Sequence, residues 1–225
     1  IGSIISRSDG ATVERMVNYV ELASANKADS NLSLQVLSAV ADASAFNENY
    51  LETAGQTEVN RLIESAVANA GDNPENAMML ANVITKGDPD SIGLMIDSIQ
   101  IASESNFNPN LSLQVLSSVA DAAALNAASL EAGTATSFYE GAGGQTEVNR
   151  LIESAVANAG SNQADSALLA NVMTKSDADT INMLVDNIQF IDKQNFSQNL
   201  GSNTNTSLSL QVLSSVADAA ALNAA

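Results

Sequence analysis

The chain has 225 residues, of which 45% are hydrophobic but only 4% aromatic, and it contains no cysteine, histidine or tryptophan. Its 26 acidic and eight basic residues give a formal charge of −18, which argues against nucleic acids and anionic membrane surfaces as partners, because both attract lysine and arginine. The lack of histidine and cysteine excludes the commonest proton shuttle at neutral pH, zinc-thiolate sites, iron–sulfur clusters and thiol nucleophiles.

Three blocks of sequence recur along the chain, and self-similarity of this kind is typical of repeat proteins. Two of the blocks recur without a change over 17 or 18 residues, which cannot be chance, so the chain is a tandem array lengthened by loop insertions. The first block spans 111–128 and recurs at 208–225, with a close copy at 32–47; the second spans 55–71 and recurs at 144–160; the third spans 80–100 and resembles 169–189, and its tail resembles 6–21.

Each period of this array contains four helix-like segments, so the sequence predicts an all-α fold of about ten helices. We expect tandem helical hairpins that form a solenoid-like array in one continuous domain, because no proline-rich or serine-rich linker divides the chain. Residues 1–11 are predicted to be an N-terminal arm, and the hairpins are expected at about 12–47, 57–87, 88–126, 146–175 and 177–225.

Helix boundaries are indicated by capping residues. For the helix predicted over 74–86, Asn73 is the expected N-cap, Pro74 occupies the first helical position and Gly87 is the expected stop. A further helix is predicted over 92–103, where apolar residues recur at helical spacing, with Asp88 as its N-cap.

Two more helix types complete the period. The segment 111–126 is apolar almost all round, which predicts burial on most sides, and its narrow polar strip consists of Gln114, Ser117, Ser118 and Asp121. The segment 147–159 is amphipathic, with Thr146 as its expected N-cap and Gly160 as its expected left-handed stop. Its apolar face is formed by Val148, Leu151, Ile152, Ala155 and Val156.

A shorter period lies within the long one. The pattern Val13-x-Arg15-Met16-Val17 aligns with Val59-x-Arg61-Leu62-Ile63, which suggests a helical hairpin of roughly 40 residues as the elementary unit. The alternative is that any two amphipathic helices would align in this way.

Candidate chemical groups are few, and the sequence predicts no catalytic residue, cofactor or metal site. Glu58 and Glu64 flank Arg61, and Glu147 and Glu153 flank Arg150, which favours rows of intrahelical ion pairs over an acid pair for catalysis. Several aspartates resemble fragments of a calcium loop without its glycine and glutamate, so helix capping explains them better than calcium: Asp9, Asp88, Asp90, Asp177 and Asp179. No run of about 18 apolar residues occurs, so membrane insertion is not expected.

The two ends of the array lack the polar capping repeats that solenoids require. We therefore expect either a longer array or head-to-tail stacking of copies, a heterologous contact that builds an open fibre. The residues predicted to mediate self-assembly are Ile1, Ile4, Ile5, Val13, Met16, Val17, Val20, Leu210, Leu213 and Val216.

These observations favour a non-catalytic structural repeat protein that assembles into a cell-surface or extracellular filament. An alternative is a helical-solenoid module that binds a basic protein or peptide, with the polar strip of Gln114, Ser118 and Asp121 as its lining. An enzyme is the third hypothesis, and nothing among the residue patterns supports it.

Overall fold

The computed structural model describes residues 2–5, 8–25, 31–44, 54–87, 89–104, 108–131, 144–160, 162–176, 178–198 and 207–223. All regular structure in these ranges is helical, which confirms the all-α prediction. It consists of one four-residue segment and ten helices of 13 to 21 residues: α1 Gly2–Ile5, α2 Gly10–Ala25, α3 Leu32–Ser44, α4 Ala54–Ala70, α5 Pro74–Lys86, α6 Pro89–Glu104, α7 Leu111–Glu131, α8 Gly144–Asn158, α9 Gln163–Lys175, α10 Ala178–Gln198 and α11 Leu208–Asn223. No described helix is both long and apolar enough to cross a lipid bilayer.

The helices group into two compact units, Ile1–Asn108 and Pro109–Ala225. In the first unit α2 contacts α4 and α4 contacts α6, while α1 contacts α3 and α3 contacts α5. In the second unit α8 contacts α10, and α9 lies between α7 and α11 and contacts both. Within each unit, therefore, a helix packs against the helix two places away in the chain as well as against its sequence neighbour. Whether the two units continue one another as a single array stays a prediction.

The repeated blocks adopt the predicted packing roles. The apolar stripe of α8 is buried, as its spacing predicts, and so is the identical stripe of α4. In α7, Leu111, Leu113, Val115 and Val119 are all fully buried, which agrees with a helix that is apolar on most sides. Small residues such as Ala66 and Ala155 are also fully buried, which lets neighbouring helices approach closely.

The capping residues of α5 behave as predicted. The Asn73 side chain accepts a hydrogen bond of 2.9 Å from the backbone N–H of Glu75, Pro74 opens the helix, and Gly87 ends it. Two expectations for α8 are wrong. The helix begins at Gly144, so Thr146 lies within its first turn rather than at its cap.

The second wrong expectation concerns Gly160, which does not adopt the left-handed conformation. Its counterpart Gly71, at the end of the identical block, does so with a φ of 59°. In the second copy Asp165 stands where the first has Asn76, and its carboxylate accepts a hydrogen bond of 2.6 Å from the backbone N–H of Gly160. The Asn76 side chain instead donates to the carbonyl of Ala70. The two identical blocks thus end differently, and the residues that follow them, Asn76 and Asp165 among others, differ as well.

The start of α11 is capped from α10. The Asp192 carboxylate accepts hydrogen bonds from the Ser207 hydroxyl at 2.5 Å and from the backbone N–H groups of Leu208 at 2.9 Å and Ser209 at 3.1 Å. At the same repeat position in the first unit, the Ser24 hydroxyl accepts from the backbone N–H of Ser33 at 3.2 Å. The side chain at this position therefore fixes where the next helix begins.

The capping hydrogen bonds predict a pH-dependent contribution of Asp192 to stability. Burial acts to raise the pKa of Asp192, but the hydrogen bonds from Ser207, Ser209 and Leu208 outweigh it and lower the pKa below its ordinary value. The stabilisation is therefore present above the ordinary aspartate pKa and is lost as pH falls through the lower, folded value. We expect Asp192→Ala to reduce the free energy of unfolding by about 1 kcal/mol at pH 7.

Urea unfolding followed by circular dichroism at pH 7 and pH 2 measures this effect. Asp192→Ser, which reproduces the residue at the equivalent position 24, is the matched control and should lose less stability at pH 7 than Asp192→Ala. The difference between wild type and Asp192→Ser should shrink at pH 2. An equal difference at both pH values would contradict the assigned role of the carboxylate.

Candidate functional site: the outer face of helix α11

Helices α7 and α11 have the same sequence over 16 residues, from Leu111 and from Leu208, yet differ in burial. In α7, Leu113 and Leu116 are 0% and 2% exposed, whereas Leu210 and Leu213, their counterparts in α11, are each 65% exposed. Smaller residues beside these leucines follow the same trend. We define the outer face of α11 as the five exposed residues Leu210, Leu213, Ser214, Ala217 and Asp218.

The neighbours of each copy explain the difference. Helix α3, a third copy of this block, contacts α1 and α2, which precede it, and α4 and α5, which follow it. Helix α11 contacts α9 and α10, which are the counterparts of α1 and α2. In α3 the counterpart leucines, Leu34 and Leu37, are fully buried. The outer face of α11 therefore corresponds to the surface that α4 and α5 cover on α3.

Beside this face, a cleft of about 260 Å³ lies between α10 and α11. Its lining is almost entirely apolar and includes Val185, Ile188, Val212, Leu213 and Val216. All five counterparts in the first unit are buried: Val17, Val20, Val36, Leu37 and Val40. There α4 contacts both α2 and α3 and buries its own apolar stripe. The cleft thus has the chemistry to receive a helix of the α4 and α8 type.

A polar contact pairs α3 with α5, the helix two places further along the chain, and a matching contact pairs α7 with α9. In the first unit Asn82 of α5 donates at 3.0 Å to both the Ser38 hydroxyl and the Asp42 carboxylate, and Lys86 donates to the same carboxylate at 2.5 Å. The Lys86 hydrogen bond, together with that from Asn82, lowers the pKa of Asp42 despite its partial burial. We call this arrangement the Asn–Lys clamp.

The second unit repeats the clamp with the same residue types. Asn171 of α9 donates at 2.8 Å to both the Ser117 hydroxyl and the Asp121 carboxylate, and Lys175 pairs with Asp121. The outer face of α11 carries the same acceptors, Ser214 and Asp218, both exposed to solvent. The face therefore presents the acceptor half of a clamp beside its exposed leucines.

The residues predicted to mediate self-assembly fall into four groups. Ile4, Leu210 and Leu213 are exposed, at 55%, 65% and 65%, while Met16 and Val216 are half-buried. Ile1 lies outside the described residues. Four others, Ile5, Val13, Val17 and Val20, are buried against helices of their own unit and contribute no exposed surface.

One residue of the polar strip predicted to line a groove has its partners within its own unit. Asp121 is engaged by Asn171 and Lys175 of α9, so it holds two helices of the same unit together. The Asn–Lys clamp was missed from the sequence. Its signal is the asparagine and lysine four residues apart, which recur in both copies of the third block.

In each carboxylate row the arginine pairs with the glutamate three residues before it, as the spacing indicates for that pair. Arg150 pairs with Glu147 at 2.6 Å, and Arg61 pairs with Glu58 at 2.7 Å and also with Glu21 on α2. Partial burial acts to lower the pKa of Arg61, but the Glu21 and Glu58 carboxylates raise it above its ordinary value.

The aspartates that resemble calcium-loop fragments have the following places. Asp9 accepts a hydrogen bond of 2.9 Å from the backbone N–H of Thr12 and so caps α2. This bond and a second one from the Thr12 side chain lower the pKa of Asp9. Asp88 and Asp177 lie outside the described residues. In the part of the chain that the structure describes, no three acidic side chains are close enough to hold a metal ion.

One repeat position carries an exposed apolar residue in three helices. Leu22 of α2, Ile101 of α6 and Phe190 of α10 occupy equivalent places, and each is more than half exposed. In the first unit Ile101 borders a groove of about 480 Å³ between α4 and α6. The groove is mostly apolar and is flanked by two carboxylates; its lining includes Val67, Ala68, Leu94, Ala102, Glu64 and Asp97.

No known protein family, curated protein or solved structure matches this chain. Its own internal copies therefore provide the comparison, because they show one sequence packed in more than one setting.

The clamp predicts that Asn171 stabilises the pairing of α7 with α9. Replacing it by alanine removes two hydrogen bonds between helices, so we expect Asn171→Ala to lower the free energy of unfolding by about 1 kcal/mol. Asn187→Ala is the matched control, because Asn187 donates to the carbonyl of Met183 on its own helix, at 3.0 Å. Chemical denaturation measures both. An equal loss in the two variants would contradict the clamp.

Proposed function

We propose that this protein is a non-catalytic structural repeat protein whose copies join head to tail into a filament at a cell surface or in the extracellular space. In this proposal the two units continue one another as a solenoid, and each copy extends the array of the next. The observation that supports it is the outer face of α11, where a sequence buried elsewhere in the chain is exposed to solvent.

Covering the exposed apolar surface favours association. Covering one leucine side chain stabilises a contact by about 1.5–3 kcal/mol, and the face presents two of them next to an apolar cleft. Ile4 and the half-buried Met16 provide apolar surface at the opposite end of the chain. A contact between two different surfaces of one molecule is heterologous, so it builds an open filament unless the rotation between copies closes a ring.

Composition supports the remaining parts of the proposal. The chain lacks the histidine and cysteine that most often serve as proton shuttles and nucleophiles, which favours a structural role over catalysis. Its charge of −18 makes copies of the protein repel one another unless a specific contact joins them. Association through one specific contact is what an extracellular filament with a defined repeat requires.

Charge on the outer face of α11 tests the proposal. We expect the double variant Leu210→Asp and Leu213→Asp to sediment as a monomer at concentrations where the wild type forms filaments, because two carboxylates cannot be buried without a partner. Sedimentation velocity and negative-stain microscopy measure this. The double variant Met78→Asp and Ile101→Asp is the control, since both residues are exposed elsewhere. Wild-type protein that remains monomeric at high concentration would contradict the proposal.

The groove between α4 and α6 favours a second candidate function, the binding of a basic amphipathic peptide. Its apolar lining matches the apolar side of such a helix, and Glu64 and Asp97 match its cations. We expect a leucine–lysine helical peptide of about 18 residues to bind the wild type and to bind Ile101→Asp several-fold more weakly. Isothermal titration calorimetry measures the affinities, with the Leu213→Asp variant and a leucine–glutamate peptide as controls. Equal binding by Ile101→Asp and Leu213→Asp would contradict a site in this groove and would indicate general charge attraction instead.

A further inference from the structure

The contact between α2 and α4 shows how two helices that lie two places apart in the chain recognise one another. Arg61 of α4 donates to the Asn18 amide oxygen of α2 at 2.8 Å and pairs with the Glu21 carboxylate of the same helix. It also pairs with Glu58 on its own helix at 2.7 Å. Arg61 thus reaches back to α2, two helices earlier in the chain, and bonds two side chains one turn apart.

Helix α2 carries an arginine at the corresponding place. The alignment of Val13-x-Arg15-Met16-Val17 with Val59-x-Arg61-Leu62-Ile63 places Arg15 where α4 has Arg61. Arg15 is exposed, and Tyr19, one helical turn further along the same side, is 73% exposed. Arg15 is one of only eight basic residues in a chain with 26 acidic ones, so an exposed cation at this edge is uncommon on its surface.

Helix α10 carries the corresponding acceptors. The positions of Asn18 and Glu21 in α2 are occupied in α10 by Asp186 and Gln189, both of them exposed. The structure supports this alignment independently, because Ser24 and Asp192, which are equivalent under the same offset, each cap the helix that follows. Asp186 and Gln189 lie on the helix that also lines the apolar cleft beside the outer face of α11.

We infer that Arg15 of one copy bonds Asp186 and Gln189 of the next, in the way that Arg61 bonds Asn18 and Glu21 within the chain. This inference rests on the proposed head-to-tail assembly and adds the residues that set its register. The partner that covers the cleft between α10 and α11 is a second copy of this chain. It presents Arg15 and Tyr19 from α2 together with the exposed Ile4. The charges are complementary, and the contact continues the packing that α4 makes on α2 and α3.

Charge reversal at the two residues tests the register. We expect Arg15→Asp and Asp186→Arg each to weaken self-association about tenfold, because each places like charges opposite one another. The double variant Arg15→Asp with Asp186→Arg keeps the wild-type net charge and restores the opposite pairing, so its association should return to within about threefold of wild type. Sedimentation equilibrium provides the dissociation constants. Glu153→Arg, which makes a charge change of the same size as Asp186→Arg on α8, is the control and should not weaken association.

A mixing experiment separates this contact from a general effect of charge. In an equimolar mixture, Arg15 of the Asp186→Arg variant meets the intact Asp186 of the Arg15→Asp variant, so the mixture should associate where neither variant does alone. Wild-type association that neither single variant weakens would overturn the Arg15 register and leave the proposed assembly standing. Wild-type protein that stays monomeric at every concentration would overturn both.

Discussion

Helix α3 and its copies depend on neighbours on two sides for the burial of their apolar surface. A helix such as α3 is apolar nearly all round, so the helices before and after it must both contribute to its cover. Where the following helices contribute, Leu34 and Leu37 are buried; on α11 the counterpart leucines stay in contact with water. The same demand for burial that holds α3 among its neighbours thus leaves an apolar surface exposed on α11.

Polar contacts give this apolar packing its register. Alanine side chains let helices pack closely but carry no polar group that could pair across the contact. The Asn–Lys clamp joins α3 to α5 and α7 to α9, and Arg61 joins α4 to α2. These contacts join side chains that are 40 or more residues apart in sequence, so they favour the observed alignment of the helices.

Local sequence predicts the helices well because their signals act within a few residues. Asn73, Pro74 and Gly87 bound α5 as predicted, since a cap interacts with the first or last turn of its own helix. Gly160 differs from prediction, and the residue that accepts a hydrogen bond from its backbone N–H, Asp165, lies in the following helix and outside the repeated block. The capping of α11 by Asp192 could likewise not be predicted from local sequence, because Asp192 reaches the start of α11 through the packing of α10 against α11.

The sequence by itself determined the repeats, the helical content, the amphipathic faces and the ion-paired arginine rows, because these follow from composition and spacing along one segment. Only the tertiary structure decided which copies of an identical segment are buried. Leu116 and Leu213 have the same neighbours in sequence, yet one is covered and the other is 65% exposed. Burial depends on the helices that pack from outside the segment, and no local pattern contains that information.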